Sequence, residues 1–188
     1  MQDAASAVLD SASAVRIVRL DRETAEAHLD GLVELLRDSV AGGASVGYVA
    51  VPDKVEAEAF WHGVLAAMPS GAAELFVALR GGQAVGTVQL QPSPKANQRH
   101  RGDIAKLLVH SSARRLGIGK ALMKATEARA AERGLTLLTL DTCEGGVAER
   151  LYAERGWVRV GAIPDFAVHT DGQLGATVIY YKSLGTGE

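Results

Sequence analysis

Between residues 104 and 133 the chain runs from an aliphatic stretch, through a basic turn with two glycines, into an alanine-rich segment. No other part of it restricts the fold so tightly. Ile104 to Val109 (IAKLLV) predicts a buried strand, and Gly119 to Arg133 predicts an amphipathic helix. The turn between them is Arg114-Arg115-Leu116-Gly117-Ile118-Gly119-Lys120. Glycine lets backbone come close to a ligand, and the first N–H groups of a helix have no partner within it. The positive end of the helix dipole and the adjacent arginines add attraction for an anion, so a phosphate-bearing ligand is expected here. Two familiar phosphate loops do not fit. A P-loop needs glycine where Arg114 stands and a hydroxyl where Ala121 stands, and the dinucleotide fingerprint fails at Leu122. The pattern that fits is Arg-x-x-Gly-x-Gly, filled by Arg114, Gly117 and Gly119.

The surrounding chain folds as one unit on these numbers: 188 residues, 47% hydrophobic and 22% charged. That length buries a single core without disulfides or metals. A net charge of −2 with both signs interspersed gives no basic face for nucleic acid. The lone Cys143 forms no internal disulfide and suits a reducing compartment. No apolar run reaches membrane-spanning length. The first fourteen residues carry Asp3 and Asp10 without a basic charge, which is wrong for a secretory signal, so residues 1–14 are expected to be a flexible tail and the chain cytoplasmic. His28, His62, His100, His110 and His169 show no metal-ligand spacing, so no metal is expected.

Val15 to Leu20 predicts a first strand, with Asp21 as the N-cap of a helix. Leu29, Leu32, Val33, Leu36 and Val40 keep helical spacing and predict one amphipathic helix. Ala41 to Tyr48 (AGGASVGY) is a glycine-rich loop, and Asp53 with Glu56 forms a capping box for a second helix ending before Pro69. Phe60 and Trp61 on that helix are expected in the core. Leu75–Leu79 and Ala84–Leu90 flank Gly81-Gly82 as a hairpin, and Gln91 to His100 is a loop. The helix after the basic turn is expected to bury Ile118, Leu122, Ala125 and Ala128 and to stop at Gly134. Leu135 to Leu140 reads as another buried strand, Ala148 to Arg155 as a short helix ended by Gly156, and Trp157–Val160 and Thr177–Tyr181 as the last strands, joined by a segment turning at Asp171-Gly172. The order β-α-α-β-β-β-α-β-α-β-β makes an α/β domain.

Two motifs carry a resemblance. Arg114-x-x-Gly117-x-Gly119 stands after a strand and before a helix, and Ala148 to Trp157 matches Ala-x-x-Leu-Tyr-x-x-x-Gly-aromatic. With this order of elements, the chain from Val15 to Leu184 resembles the GCN5-related N-acetyltransferase (GNAT) family. The resemblance implies a single-domain GNAT fold over residues 15–184, with a short tail at 185–188. It implies a mixed, mostly antiparallel sheet of about seven strands with flanking helices, splayed between the fourth and fifth strands. It also implies acetyl-CoA as cofactor and no metal. The GASVGY loop, the run LLVHSSARRLGIGKALM, Leu140-Asp141-Thr142 and the segment VGAIPDFAVHTDG further resemble the tabtoxin-resistance acetyltransferases of bacteria. That likeness implies a small-molecule amine acceptor, a β-lactam amino-acid toxin among the possibilities. Acetylation of a protein N-terminus or lysine, and a non-catalytic acyl-CoA-binding module, stand as alternatives. A monomer or a homodimer fits equally.

The expected cofactor contacts are Leu107, Leu108 and Val109 on the splayed strand, Arg114, Arg115, Leu116, Gly117, Ile118, Gly119 and Lys120 in the turn, and Ala148 and Tyr152 on the short helix. A backbone N–H near Leu108 or Val109 is placed for a developing oxyanion. The Tyr152 phenol, protonated at neutral pH, is the candidate general acid toward the departing thiolate. Asp141, ending an apolar strand, is the candidate to hold or deprotonate the incoming ammonium; Asp103 is a weaker one, and Glu149 is expected to be solvated. Cys143 has no base identifiable in the sequence and is not expected to act covalently. The acceptor site is expected from Ser45 and Tyr48 of the glycine-rich loop with Asp141, Asp165 and Phe166.

Overall fold

The computed structural model describes residues 14–185, so the tails expected at 1–14 and 185–188 lie outside the described residues except for positions 14 and 185. Strand β1 (Val15–Leu20) leads into two helices, α1 (Arg22–Ala27) and α2 (Leu29–Ala41). The periodicity predicts one helix here. The chain instead tightens at His28, whose N–H reaches back to the Ala25 carbonyl at 3.1 Å, and the second helix starts without a side-chain cap. Asp21 caps α1 through the Thr24 N–H, as its position predicts. Helix α3 (Lys54–Ala67) carries the Asp53–Glu56 capping box, each side chain bonding the other's backbone N–H. The remaining elements are β2 (Glu74–Arg80), β3 (Gln83–Pro92), β4 (Arg101–Val109), α4 (Ile118–Glu132), β5 (Leu137–Cys143), α5 (Val147–Glu154), β6 (Val158–Val168) and β7 (Leu174–Ser183).

The strands form one seven-stranded sheet in the order β1-β2-β3-β4-β5-β7-β6, parallel only between β4 and β5. Apolar residues on both faces make it the middle of three layers. Alternate residues of β2 show why: Leu75, Val77 and Leu79 enter one core with α2 and α3, whereas Phe76 and Ala78 enter another with α4. Trp61 is fully buried in the first core, and Leu122, Met123 and Leu138 in the second. Gly86 lets α4 lie close on the sheet, because a Cβ there would stand 2.9 Å from Ile118 Cγ2. Helix α4 buries Ile118 and Leu122 as predicted, but Ala128 faces solvent and Ala125 is half-buried; Met123, Thr126 and Ala130 fill the buried stripe instead. Strand β6 runs on to Val168, well past the predicted Val160, so Asp165 and Phe166 lie on a bulged edge strand rather than in a loop.

Two buried carboxylates tie the layers together. Glu74, at the start of β2, accepts from Arg19, Arg129 and Arg133, joining β1 to α4. Glu127 on α4 accepts from Arg155, Trp157 Nε1 and Lys182, joining α4 to the end of α5 and to β7. Burial alone would raise both carboxyls, but these hydrogen bonds outweigh it and hold them below the ordinary value.

Candidate active site

Strands β4 and β5 pair only at their beginnings, where Arg101, Gly102 and Asp103 face Leu137, Leu138 and Thr139. Beyond Asp103, β4 remains bonded to β3 as far as Val109, while β5 goes on to Cys143 bonded to β7. Among the described residues, the β4 edge from Ala105 to Val109 therefore has no strand partner on the β5 side. This parting is the splay expected between the fourth and fifth strands. Backbone polar groups along such an edge are left for a ligand or water. Asp103 sits at the closed end, bonded to Arg101 and Thr139, which removes it from the gap.

After Val109 a 3₁₀ turn (Ser111–Ala113) is anchored by Asp38, whose carboxylate accepts from the Ser111 N–H at 2.8 Å and hydroxyl at 2.6 Å. The chain then alternates in hand. Arg114 is extended, Arg115 is left-handed at φ 63°, and Gly117 is left-handed at φ 74° as the N-cap of α4. Left-handed residues in such a turn are the backbone pattern of an anion nest, here at the positive end of a fifteen-residue helix. A Cβ at Gly117 would meet nothing within 4 Å, so space lies open beside the turn. Arg114, Arg115, Leu116 and Lys120 are exposed around it. Arg114 is steered by Gly42, where a Cβ would come within 2.8 Å of its guanidinium.

Gly119 brings the rest of the predicted cofactor contacts together. A Cβ there would lie 3.3 Å from Leu151 and 3.9 Å from Val109, so the turn, the end of β4 and α5 meet at this point. Leu107, Val109, Ala148 and Leu151 are half-buried against the α4-side core. Leu108 points the other way, into the core beneath α2 and α3.

Tyr152 is 5% exposed and packs against the rings of Trp157 and Tyr180, with centroids 6.1 and 5.7 Å away. Burial, then the charge of Asp141, then Tyr180 push its pKa far above the usual phenol value. The hydroxyl therefore stays protonated across the physiological range. Asp141, exposed on β5, accepts from Thr177 Oγ1 at 3.3 Å, and its charge acts on Lys106 of β4 as well as on Tyr152. Glu149 is not the solvated side chain expected of it: the carboxylate accepts from the Gly145 N–H at 2.7 Å and the Tyr180 hydroxyl at 2.5 Å, fixing the start of α5.

The loop after α2 reaches over this region. Val46 accepts from Lys106 at 2.8 Å, and Tyr48 is half-buried against the α2–α3 core, while Ser45 is exposed. Asp165 is left-handed at φ 51° within the β6 bulge, and Phe166 beside it is 55% exposed. Cys143 does have a neighbour the sequence concealed. His169 from the β6–β7 hairpin lies over Gly175 and places Nε2 3.3 Å from the sulfur. Burial, Glu149 and Glu144 nonetheless push the thiol up, away from its nucleophilic form. Among the described residues no His, Cys, Asp or Glu cluster could hold a metal ion, and no helix is long and apolar enough to cross a membrane.

A parted pair of parallel strands, with this glycine-bearing turn at the mouth of the gap and a tyrosine-bearing helix beside it, makes the gap the candidate site. Comparison with known proteins agrees. The family model of the Acetyltransferase (GNAT) family matches residues 46–157, and the chain belongs to that family. It is an acetyl-CoA-dependent acyltransferase. An uncharacterized N-acetyltransferase of the hisH-hisA intergenic region of Azospirillum brasilense is 32% identical over 133 residues, covering 69% of this chain and 76% of that protein. The solved yncA acetyltransferase of Salmonella typhimurium, with its cofactor acetyl-CoA, superposes with a TM-score of 0.75 at 17% identity, over 93% of this chain and 96% of that one. A phosphinothricin acetyltransferase of Sinorhizobium meliloti in complex with acetyl-CoA gives a TM-score of 0.75 at 19% identity, over 92% of this chain and 90% of that one. Both structural likenesses speak for the fold.

Proposed function

We propose that this enzyme acetylates the primary amine of a small molecule, and that the gap between β4 and β5 is where the transfer occurs. The observation that carries the reading is the coincidence of three features around one opening: the nest at residues 115–120, the unpaired β4 edge, and Tyr152 with Asp141. Acetyl-CoA, when bound, supplies an acetyl thioester. The amides of the nest, with Arg114 and Arg115, hold its diphosphate. The free edge of β4 from Leu107 to Val109 would bond the pantetheine arm, and a backbone N–H there would stabilise negative charge on the carbonyl oxygen. Ala148 and Tyr152 close the opposite wall.

Asp141 receives the incoming ammonium and lowers the cost of bringing that cation out of water. Loss of its proton, to Asp141 or to water, frees the attacking lone pair. Attack would form the C–N bond and break the C–S bond; the proton then shed by the nitrogen would reach the departing thiolate through water, while the Tyr152 hydroxyl donates a hydrogen bond to the sulfur. Its raised pKa suits it to remain a donor throughout the reaction rather than to ionise. The loop 41–48, carrying Ser45 and Tyr48, is held over Lys106 through Val46, which favours a small acceptor over a long peptide. Asp165 and Phe166 supply a charge and an apolar wall from the β6 edge.

The direct test is thiol release from acetyl-CoA across a panel of amines, β-lactam amino acids included, with mass detection of the product. Acetylation of one or more small amines upholds the reading. Tight coenzyme binding with no acceptor-dependent release would make the chain a binding module instead, and release with peptides alone would make it a protein acetyltransferase.

A further inference from the structure

Lys106 carries no mark in the sequence, yet it is the most unusual side chain beside the gap. It sits where β4 slips against β3: Ala105 pairs with Gln89 but Leu108 pairs with Thr87, so β4 holds an extra residue. Lys106 takes a left-handed φ of 53°, an uncommon conformation for a side chain of this size. The bulge turns it onto the α3 side of the sheet. There its ammonium donates to the Val46 carbonyl at 2.8 Å and stands 5.6 Å from the centre of the Phe60 ring. No carboxylate of the described residues lies within ion-pair distance of it. Burial pushes its pKa down, and the charge of Asp141 opposes that shift. A half-buried cation without a counter-ion needs an explanation.

Lys106 also lines an open pocket of about 450 Å³ between α3 and the sheet, with Phe60, Val64, Ala67, Gln89 and Gln91. Gln89 is 1% exposed, and its Oε1 accepts from Gln91 at 2.8 Å. Its Nε2 has no partner among the described residues. The pocket thus presents the lysine and a spare buried amide donor against an apolar wall. Both polar groups seek an acceptor oxygen, while Asp141 nearby seeks a donor.

We propose that Lys106, assisted by Gln89 Nε2, binds an anionic group on the acceptor, so that the enzyme selects amines that also carry a carboxylate or a phosphorus oxyacid. This rests on the transferase reading above and deepens it. Asp141 takes the ammonium end of such a zwitterion and Lys106 the anionic end, which sets the nitrogen in the gap. Lys106 is a specificity residue and takes no part in the bond changes.

The test compares an amino acid, its uncharged carboxamide and an amino phosphinate as acceptors, for wild type, Lys106→Met and Lys106→Arg. In wild type the charged acceptors exceed the carboxamide by roughly tenfold or more in kcat/KM, the scale of one charge-assisted hydrogen bond. Lys106→Met brings the ratio of charged to carboxamide kcat/KM down to about one, beyond any loss that all acceptors share when the Val46 contact goes, and Lys106→Arg restores part of the preference. A carboxylate-only or phosphinate-only preference identifies which oxyacid the site takes. Equal loss on charged and neutral acceptors, or a wild type that favours the carboxamide, overturns the proposal. Equilibrium titration of the same amines separates the two readings. Binding of the charged amines that needs Lys106, with no transfer to any amine, would keep this site and sink the transferase; transfer without the charge preference would do the reverse. Should Lys106→Met fail to fold, Lys106→Gln, which keeps a donor for Val46, takes its place.

Discussion

Glu127 offers the sharpest test of how the site is held, because a single carboxylate fastens α4, which begins at the nest, to the turn just beyond Tyr152. Its side chain is 8% exposed, against 12% for Arg155 and 21% for Lys182. Replacement by alanine takes the carboxylate from the Arg155 guanidinium and the Trp157 N–H and leaves Lys182 with the Arg155 carbonyl alone. Removing one partner from a buried ion pair costs about 3–5 kcal/mol, and for a chain of this size each kcal/mol lowers Tm by about 2–4 °C, so Glu127→Ala should melt about 6–20 °C below wild type. Glu127→Gln, which keeps an acceptor for Trp157, should lose less. The effect carries a pH signature. The folded carboxyl is depressed below its ordinary 4.5, so the contribution is complete above that value and disappears as pH falls through the lower folded pKa. The gap in Tm between wild type and Glu127→Ala should therefore narrow in acid. Thermal unfolding by circular dichroism at neutral pH and along an acid series measures both. A loss under about 1 kcal/mol at neutral pH, or a gap that widens in acid, would refute the assignment of Glu127 as an ionised anchor.

The same geometry has other consequences. Tyr152→Phe should keep the fold and coenzyme affinity while lowering kcat by roughly tenfold or more, as loss of an acid or donor at the leaving group does; an unchanged kcat removes Tyr152 from the chemistry. Because the phenol is pushed far above its usual pKa, the kcat profile of wild type should show no limb that Tyr152→Phe abolishes below about pH 10, the ordinary phenol value. Gly117→Val places a β-branched residue at φ 74° and fills the open side of the nest, so KM for acetyl-CoA should rise about tenfold or more with the acceptor KM little changed. A variant with unaltered coenzyme KM would show that the nest is not the diphosphate site.

How much of this is legible in the sequence depends on whether a feature is local. The turn from Arg114 to Lys120 and the Asp53–Glu56 capping box announce themselves because glycine, charge and cap spacing act within a few residues. The splay is another matter: it is a failure of β4 and β5 to pair, and only the family resemblance implies it. Lys106 escapes a reading of the sequence because a bulge at a non-glycine residue leaves no compositional mark, and its register slip appears only against β3. Strand β6 reads too short since Gly161 and Pro164 interrupt its pattern, yet an edge strand tolerates both when it bulges. Ala128 is misplaced by periodicity because alanine gives little contrast between the faces of α4. The partners of Glu127 come from segments 28 to 55 residues away, beyond the reach of any periodicity. Sequence separation likewise hides His169 from Cys143.

A crystal structure of the enzyme grown with acetyl-CoA puts the whole account to its most direct trial. It should show the diphosphate within hydrogen-bonding distance of the amides of residues 115–120, the arm lying along Leu107 to Val109, and the sulfur turned to the Tyr152 hydroxyl. Density for the coenzyme in any other part of the molecule, or none at saturating concentration, would contradict it.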